Sequence, residues 1–204
     1  MTVIQQIVIL APPFLFALSI HEFSHGYVAD RLGDPTARNM GRLTLNPIKH
    51  IDPLGVLAFI IMKIGWAKPV PVDPRYFKNP LRDMVWVALA GPAANLMTAI
   101  ASGLAAQFLV IVSPLLPPFI LWPLAQMIAA SIWINIMLAV FNLLPIPPLD
   151  GSKVLMGLLP PQQAASFAKL EPFGFIILLG LFYTGILQKI IIPIITFAQN
   201  MIIG

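Results

Sequence analysis

The stretch FLFALSIHEFSH, residues 14–25, runs from an uncharged segment directly into three ionisable side chains. Residues four apart lie on one face of a helix, so His21 and His25 can direct ring nitrogens at the same ion. Glu22 sits beside that face, where a carboxylate can take a proton from a metal-bound water. The spacing predicts a zinc site at or near membrane depth, where ionisable side chains are costly and mark functional sites.

The same five residues allow a plainer interpretation. His21 and His25 could form a helix-packing pair, with the Glu22 side chain extending to a membrane interface. A third ligand elsewhere in the chain is needed to favour the metal site over this alternative.

The composition places the chain in a membrane. Of its 204 residues, 58% are hydrophobic and 10% charged, whereas soluble domains carry about 25% charged residues. We therefore predict an integral membrane protein with one compact domain, residues 1–204. The chain has no cysteine, which excludes disulfides and thiolate metal sites and leaves His, Asp and Glu as ligands.

The net charge of +4 does not indicate a nucleic-acid partner. Nine of the twelve Lys and Arg residues lie between Arg31 and Arg82, interleaved with aspartates. This pattern is typical of a cytoplasmic loop that follows the positive-inside bias.

The hydropathy pattern predicts an all-α polytopic fold with about four transmembrane helices. The first segment lacks a basic start and a cleavage site, so we expect it to be retained rather than removed as a signal peptide. We expect its helix to end near Leu32, with Gly33 as the C-cap. The remaining spans are predicted at about residues 84–112, 120–144 and 173–188. The apolar tail, residues 190–203, either continues the last helix or lies at the interface.

The region between the first two spans, residues 33–83, is predicted to be a re-entrant, β-hairpin-like loop. Alternation in residues 42–45 and 70–72 favours two short strands. Residues 54–62 are apolar but too few to cross a bilayer, so they fit a re-entrant or interfacial piece. An edge strand of this loop could pair with an unwound substrate segment by strand addition.

The topology supplies the third ligand. If the 31–82 loop is cytoplasmic, the first and third helices both end near the cytoplasmic side. Asp150 and Glu171 are the only carboxylates between residues 84 and 172, and Asp150 lies in the break PIPPLDGSK that follows the third span. Two imidazoles, one carboxylate and a water would make a tetrahedral catalytic site with one exchangeable position.

Three motifs carry a family resemblance: HEFSH, GPAAN (residues 91–95) and FNLLPIPPLDG (residues 141–151). Together they resemble the site-2 protease family of intramembrane zinc metalloproteases. The stretches GRLTLNPIKHIDPLG (41–55) and WAKPVPVDP (66–74) are similar to its compact prokaryotic members, which have no PDZ or CBS module. Ser152 and Lys153 depart from the family pattern, in which a further glycine and arginine are common.

The resemblance implies one zinc ion per chain, bound by His21, His25 and Asp150. It further implies Glu22 as the catalytic base and Asn142 as the polar group near the oxyanion. The implied activity is hydrolysis of peptide bonds in or near a transmembrane segment of a membrane-protein substrate. The protein would then lie in the lipid bilayer of a prokaryotic cell membrane, with its active site toward the cytoplasm.

Three further polar residues, Asn46, His50 and Asn95, are candidates for substrate binding. Each also has a structural interpretation: Asn95 as a hydrogen bond between helices, and Asn46 and His50 as turn residues. Two other functions stay open for the chain, a proton- or ion-relay transporter and an inactive scaffold that binds client helices. The HExxH spacing with a distant Asp-Gly favours the protease over both. The substrate's identity and the oligomeric state are not predicted.

Overall fold

The computed structural model describes residues 2–62 and 65–203, and within these ranges it contains α-helices and no β-strand. The α-helices are α1 (Val3–Arg31), α2 (Thr36–Asn39), α3 (Pro53–Met62), α4 (Pro80–Val112), α5 (Pro118–Asn142), α6 (Asp150–Leu158), α7 (Pro161–Ala168), α8 (Gly174–Tyr183) and α9 (Ile186–Ile203). In this part of the chain four helical segments are long and apolar enough to cross a membrane: Ile4–Arg31, Pro80–Leu115, Pro118–Asn142 and Pro161–Tyr183. The predicted all-α polytopic fold is confirmed.

Helix α1 carries HEFSH in its final third. It begins with a capping box, in which Thr2 N–H donates to Gln5 Oε1 at 2.8 Å and Gln5 N–H donates to Thr2 Oγ1 at 3.3 Å. Pro12 and Pro13 lie inside the helix without ending it. The helix ends at Arg31, and Gly33 follows in the left-handed conformation with φ of +110°. The predicted end near Leu32 is confirmed, although Leu32 itself is the C-cap and Gly33 is the residue after it.

Helices α1, α4 and α5 pack against one another and form the centre of the fold. Where α4, α5 and α9 meet, the side chains of Ala99, Ile132, Ile136 and Ile195 are buried. The outer faces are apolar and open, with Val110 73% and Phe119 76% exposed. Such faces are stable in hydrocarbon rather than in water, as the composition predicts.

The C-terminal segment differs from the prediction of one helix over residues 173–188. Helix α8 ends at Tyr183, and Gly185 adopts a φ of +74° before α9 begins at Ile186. A left-handed residue breaks the helical hydrogen-bond pattern, so the single predicted helix is wrong at this point. The tail is a separate helix that rises about 27 Å at 1.5 Å per residue and buries Ile195 against the central helices.

The strands predicted in the 33–83 loop are not confirmed. Among the described residues the loop contains α2, α3 and two short 3₁₀ turns, Pro47–Lys49 and Pro74–Tyr76. Its one β-type pairing in that part of the chain is an isolated antiparallel bridge between Ile51 and Ala67. Pro69 and Pro71 have no N–H to donate, and the N–H of Val70 is bound to a side chain, so residues 69–71 cannot supply a ladder.

Candidate metal centre

Three side chains from two distant parts of the chain meet near the C-terminal end of α1. His21 and His25 lie on one face of α1, and their Nε2 atoms are 3.0 Å apart. Asp150, the first residue of α6, places its Oδ2 atom 3.2 Å from each Nε2. All three residues are buried. The structure thus brings together the two histidines and the aspartate that the sequence analysis selects.

The other ring nitrogen of each histidine determines its protonation. His21 Nδ1 lies 2.6 Å from Asn95 Oδ1, and His25 Nδ1 lies 2.7 Å from the main-chain oxygen of Val87. Oxygens of this kind only accept hydrogen bonds, so each Nδ1 carries the proton and donates it. Each Nε2 of a neutral ring is then left with a lone pair that points toward the other ring and toward Asp150.

This arrangement fits a bound cation. Two nitrogen lone pairs and a carboxylate oxygen converge within 3.0–3.2 Å, and they repel one another unless a positive charge lies between them. Asp150 Oδ2 is buried and accepts no hydrogen bond from the described residues. The separations are close to the value of about 3.3 Å between neighbouring ligand atoms on a tetrahedron with zinc–ligand bonds near 2.0–2.1 Å. His21, His25 and Asp150 could therefore hold a zinc ion.

The absence of a side chain at Gly91 makes room for both rings. A Cβ atom built on Gly91 would lie 2.5 Å from His25 Nε2 and 2.7 Å from His21 Nε2. Movement of either ring away from this Cβ would disturb the hydrogen bond at its Nδ1. Gly91 and Asn95 are four residues apart on α4, so one face of α4 supplies both the close approach and the acceptor for His21.

Glu22 is held by the loop that follows α3. Its Oε2 atom accepts a 2.8 Å hydrogen bond from the Val70 N–H, and the side chain is buried. Val70 belongs to a segment without helix or strand, residues 68–73, which two other buried charged side chains hold in place. Arg42 donates to the main-chain oxygen of Lys68 at 2.8 Å, and Asp34 accepts from the Asp73 N–H at 2.7 Å. The carboxylate next to the histidines therefore depends on a loop far from it in sequence.

The remaining predicted site residues lie outside this cluster. Asn142 is the last residue of α5, and its amide donates to the main-chain oxygen of Leu138 at 2.9 Å. Asn46 is exposed and caps the Pro47–Lys49 turn by accepting from the Ile48 N–H. His50 is fully buried, with Nε2 2.8 Å from the main-chain oxygen of Thr44. Asn46 and His50 both form hydrogen bonds within the loop, and their predicted roles in substrate binding stay predictions.

Asn95, the third such candidate, is in contact with the metal cluster through His21. Its position supports the alternative in which it bonds between helices, because its amide also donates to the main-chain oxygen of Ala17 at 3.0 Å. Its predicted contact with substrate is untested.

Sequence reasoning missed several residues that shape the centre. Gly91 and Asn135 gave a signal, since a glycine next to a proline is unusual in a helix and an amide in the middle of an apolar span is unusual in a membrane. The Val87 carbonyl and the Val70 N–H gave none, because any residue carries a main-chain oxygen and almost any carries an N–H.

Comparison with known proteins assigns the family. The sequence model of the family described as Peptidase family M50 matches residues 118–182, a range that contains Asn142 and Asp150. A Bacillus subtilis (strain 168) protein named "Putative zinc metalloprotease YwhC" is 39% identical over 196 residues, covering 93% of this chain and 86% of the relative. The chain belongs to peptidase family M50. It is therefore a membrane protein of a metalloprotease family, as the site-2 protease resemblance implies.

Two mycobacterial relatives agree with this M50 assignment. "Putative zinc metalloprotease Rip2" of Mycolicibacterium smegmatis is 32% identical over 187 residues, covering 86% of this chain and 67% of the relative. The protein of the same name from Mycobacterium tuberculosis (strain ATCC 25618 / H37Rv) is 33% identical over 175 residues, covering 83% of this chain and 64% of the relative. No solved structure matches this M50 chain.

Proposed function

We propose that this M50 chain is an intramembrane zinc endopeptidase that hydrolyses peptide bonds in or near transmembrane segments of other membrane proteins. One observation carries the proposal: His21, His25 and Asp150 converge with their proton-free atoms facing one another, at the end of an apolar helix. A zinc ligand set of two histidines and one carboxylate leaves a fourth position for water or substrate.

In this proposal, zinc held by the three side chains would lower the pKa of a water and polarise the carbonyl of the bond to be cut. Glu22 is the base: it takes the proton from the water and passes it to the leaving amine. The Val70 N–H occupies one oxygen of Glu22, Oε2, and so orients the carboxylate while Oε1 stays available. The Nδ1–H bonds of His21 and His25 keep both rings turned with Nε2 inward.

Asn142 is proposed to stabilise the oxyanion. It ends α5 eight residues before Asp150, and its side chain is half-buried. Its amide donates to Leu138 within its own helix, so this role requires a side-chain rotation that exchanges the carbonyl acceptor for the substrate oxygen. Donors in a site from which water is excluded stabilise developing charge more than donors in bulk water do.

The substrate partner is proposed to be a transmembrane segment that unwinds before it is cut. A helix hides its amide bonds in hydrogen bonds to residue i−4, so the cut segment needs new partners for its N–H and C=O groups. The loop segment of residues 68–73 already reaches Glu22 through Val70, and its main-chain oxygens could accept from the N–H groups of the unwound substrate. Residues 69–71 offer no N–H in return, so the C=O groups of the substrate need donors from elsewhere. The proposed location is the cell membrane, with the site open toward the cytoplasm.

The test uses the full-length chain in liposomes with a single-span membrane-protein substrate. Wild-type protein is expected to hold one zinc per chain and to cleave. Glu22→Gln should keep zinc and lose about 10²- to 10⁴-fold in turnover, because an amide cannot act as a base. His25→Ala should lose zinc and activity together.

Glu171→Gln is the matched control, since this carboxylate is exposed and lies outside the cluster. A zinc-loaded wild type that binds the single-span substrate without cutting it would instead support the scaffold. Stoichiometric zinc in His25→Ala would overturn the ligand set.

A further inference from the structure

A chain of buried polar side chains extends from His21 into the middle of the helix bundle. Asn95, which accepts from His21, donates through Nδ2 to Asn135 Oδ1 at 2.8 Å. Asn135 donates to the main-chain oxygen of Ser131 at 2.8 Å and to Ser131 Oγ at 3.3 Å. Both asparagines are fully buried. These hydrogen bonds join α1, α4 and α5 at one level of the bundle.

The direction of each bond in this chain is determined. The main-chain oxygen of Ser131 can only accept, so the nitrogen of Asn135 must face it and the oxygen must face Asn95. That oxygen in turn requires the nitrogen of Asn95 on its side, which leaves Asn95 Oδ1 facing His21. The amide of Asn135 in α5, together with the Ala17 carbonyl, thus orients Asn95 so that the proton of His21 lies on Nδ1.

We propose that Asn135 is a positioning residue for the metal centre. It acts through Asn95 to keep the proton on His21 Nδ1 and the lone pair on Nε2, which points at the zinc position. The inference rests on the zinc centre of the proposed function and adds a residue to it. Hydrogen-bond partners of metal-bound histidines fix the ring's tautomer and orientation.

Simple helix packing is a weaker account of Asn135. An amide in an apolar bundle is costly unless both its donor and its acceptor are satisfied, and an aliphatic side chain of similar size has no such requirement. Ser131 satisfies the donor side of Asn135 within its own helix, but only Asn95 satisfies its oxygen among the described residues. The main-chain oxygen of Ala17 also accepts from the Asn95 nitrogen, so Asn135 and Ala17 orient the Asn95 amide together.

The experiment is a double-mutant cycle on zinc affinity, measured by chelator competition on the full-length protein in detergent. Asn95→Leu is expected to weaken zinc binding about 10- to 100-fold, and Asn135→Leu about 10-fold. The double variant should bind zinc no more weakly than Asn95→Leu alone, because Asn135 acts through Asn95. Thr98→Val is the matched control in the same span, since its hydroxyl bonds only to Ala94 O of its own helix in the described structure.

Nitrogen-15 spectra of the histidine rings supply a second readout. The chain has three histidines, so the His21 signals can be assigned by substitution. In zinc-loaded protein the His21 Nδ1–H proton should exchange with water faster in Asn135→Leu than in the wild type. Asn135→Asp should restore slow exchange and zinc affinity, because a protonated carboxyl accepts from Asn95 and donates to Ser131 as the amide does.

The outcomes separate this inference from the proposed function. Zinc affinity in Asn135→Leu equal to that of the wild type, or effects of the two variants that multiply, would overturn the role of Asn135 alone. An equal loss in Thr98→Val would assign the effect to general packing. A wild-type chain that binds no zinc would overturn both. If Asn135→Leu does not fold, loss of zinc affinity in a folded Asn135→Asp decides against the inference.

Discussion

The N–H of Val70 donates a 2.8 Å hydrogen bond to Glu22 Oε2, so a loop residue 48 positions away holds the carboxylate beside the histidines. The side chain of Val70 also packs closely against α1. A Cβ atom built on Gly26, one turn beyond Glu22, would lie 3.0 Å from Val70 Cγ1. The loop and the end of α1 therefore form one unit, in which the loop determines where the proposed base points.

The segment that carries Val70 should be needed for turnover and not for zinc. Replacing Arg42 by Met removes the guanidinium that binds the oxygens of Lys68 and Pro69. Hydrogen bonds to charged groups contribute about 1.5–3 kcal/mol, so we expect a loss of about tenfold or more in turnover with zinc content unchanged. Cleavage rates and metal analysis on the same preparation measure both.

Arg75→Met is the control for this prediction. Arg75 lies just beyond the same segment, but its side chain is 89% exposed and bonds to Asp73. Arg42→Met activity no lower than that of Arg75→Met would show that the segment needs no such support.

The glycine beneath the two histidines should tolerate no side chain. Gly91→Ala would place a methyl group 2.5 Å from His25 Nε2, which displaces the rings from the zinc position. We expect zinc content and activity to fall together, and metal analysis of the purified variant measures the first.

Gly180→Ala is the matched substitution, because a Cβ at this helical glycine meets nothing within 4 Å. It should retain zinc and gain up to about 1 kcal/mol in stability from higher helix propensity. Full zinc occupancy in Gly91→Ala would contradict the ring positions described above.

The role proposed for Asn142 predicts an effect on turnover alone. Asn142→Ala removes an amide that could donate to the oxyanion, and we expect a loss of about a hundred- to a thousandfold in turnover with zinc retained. Substrate cleavage under saturating conditions measures it. Turnover at the wild-type rate would leave Asn142 as a residue that only bonds to Leu138 at the end of α5.

The proposed sidedness can be tested with single cysteines, because the chain has none. Met40 is 63% exposed in the 33–83 loop, Leu115 is 82% exposed between α4 and α5, and Gln163 is exposed on α7. In intact cells a membrane-impermeant thiol reagent should label a cysteine at Leu115 and spare cysteines at Met40 and Gln163. Labelling of Met40 and Leu115 alike would contradict the assignment of the 33–83 loop to the cytoplasm.

Local sequence patterns determined the parts of this protein that depend on neighbouring residues. The spacing of His21 and His25 places two rings on one helical face wherever that helix lies. The long apolar runs predict the spans, and Gly33 predicts the end of α1. Asp150 could also be selected as the third ligand. Few carboxylates were available, and the predicted third span ends on the same side of the membrane as His21 and His25.

Tertiary structure decided what depends on contacts between distant segments. The alternation in residues 70–72 predicted a strand. Proline has no N–H for a ladder, and the Val70 N–H bonds to the Glu22 side chain instead of to a neighbouring strand. Residues 173–188 read as one helix, yet the chain turns at Gly185 and packs α9 against the centre. Side-chain hydrogen bonds such as those of Asn95 form across 40 or more residues of sequence. Such bonds depend on how helices pack, and periodicity within one helix carries no information about that packing.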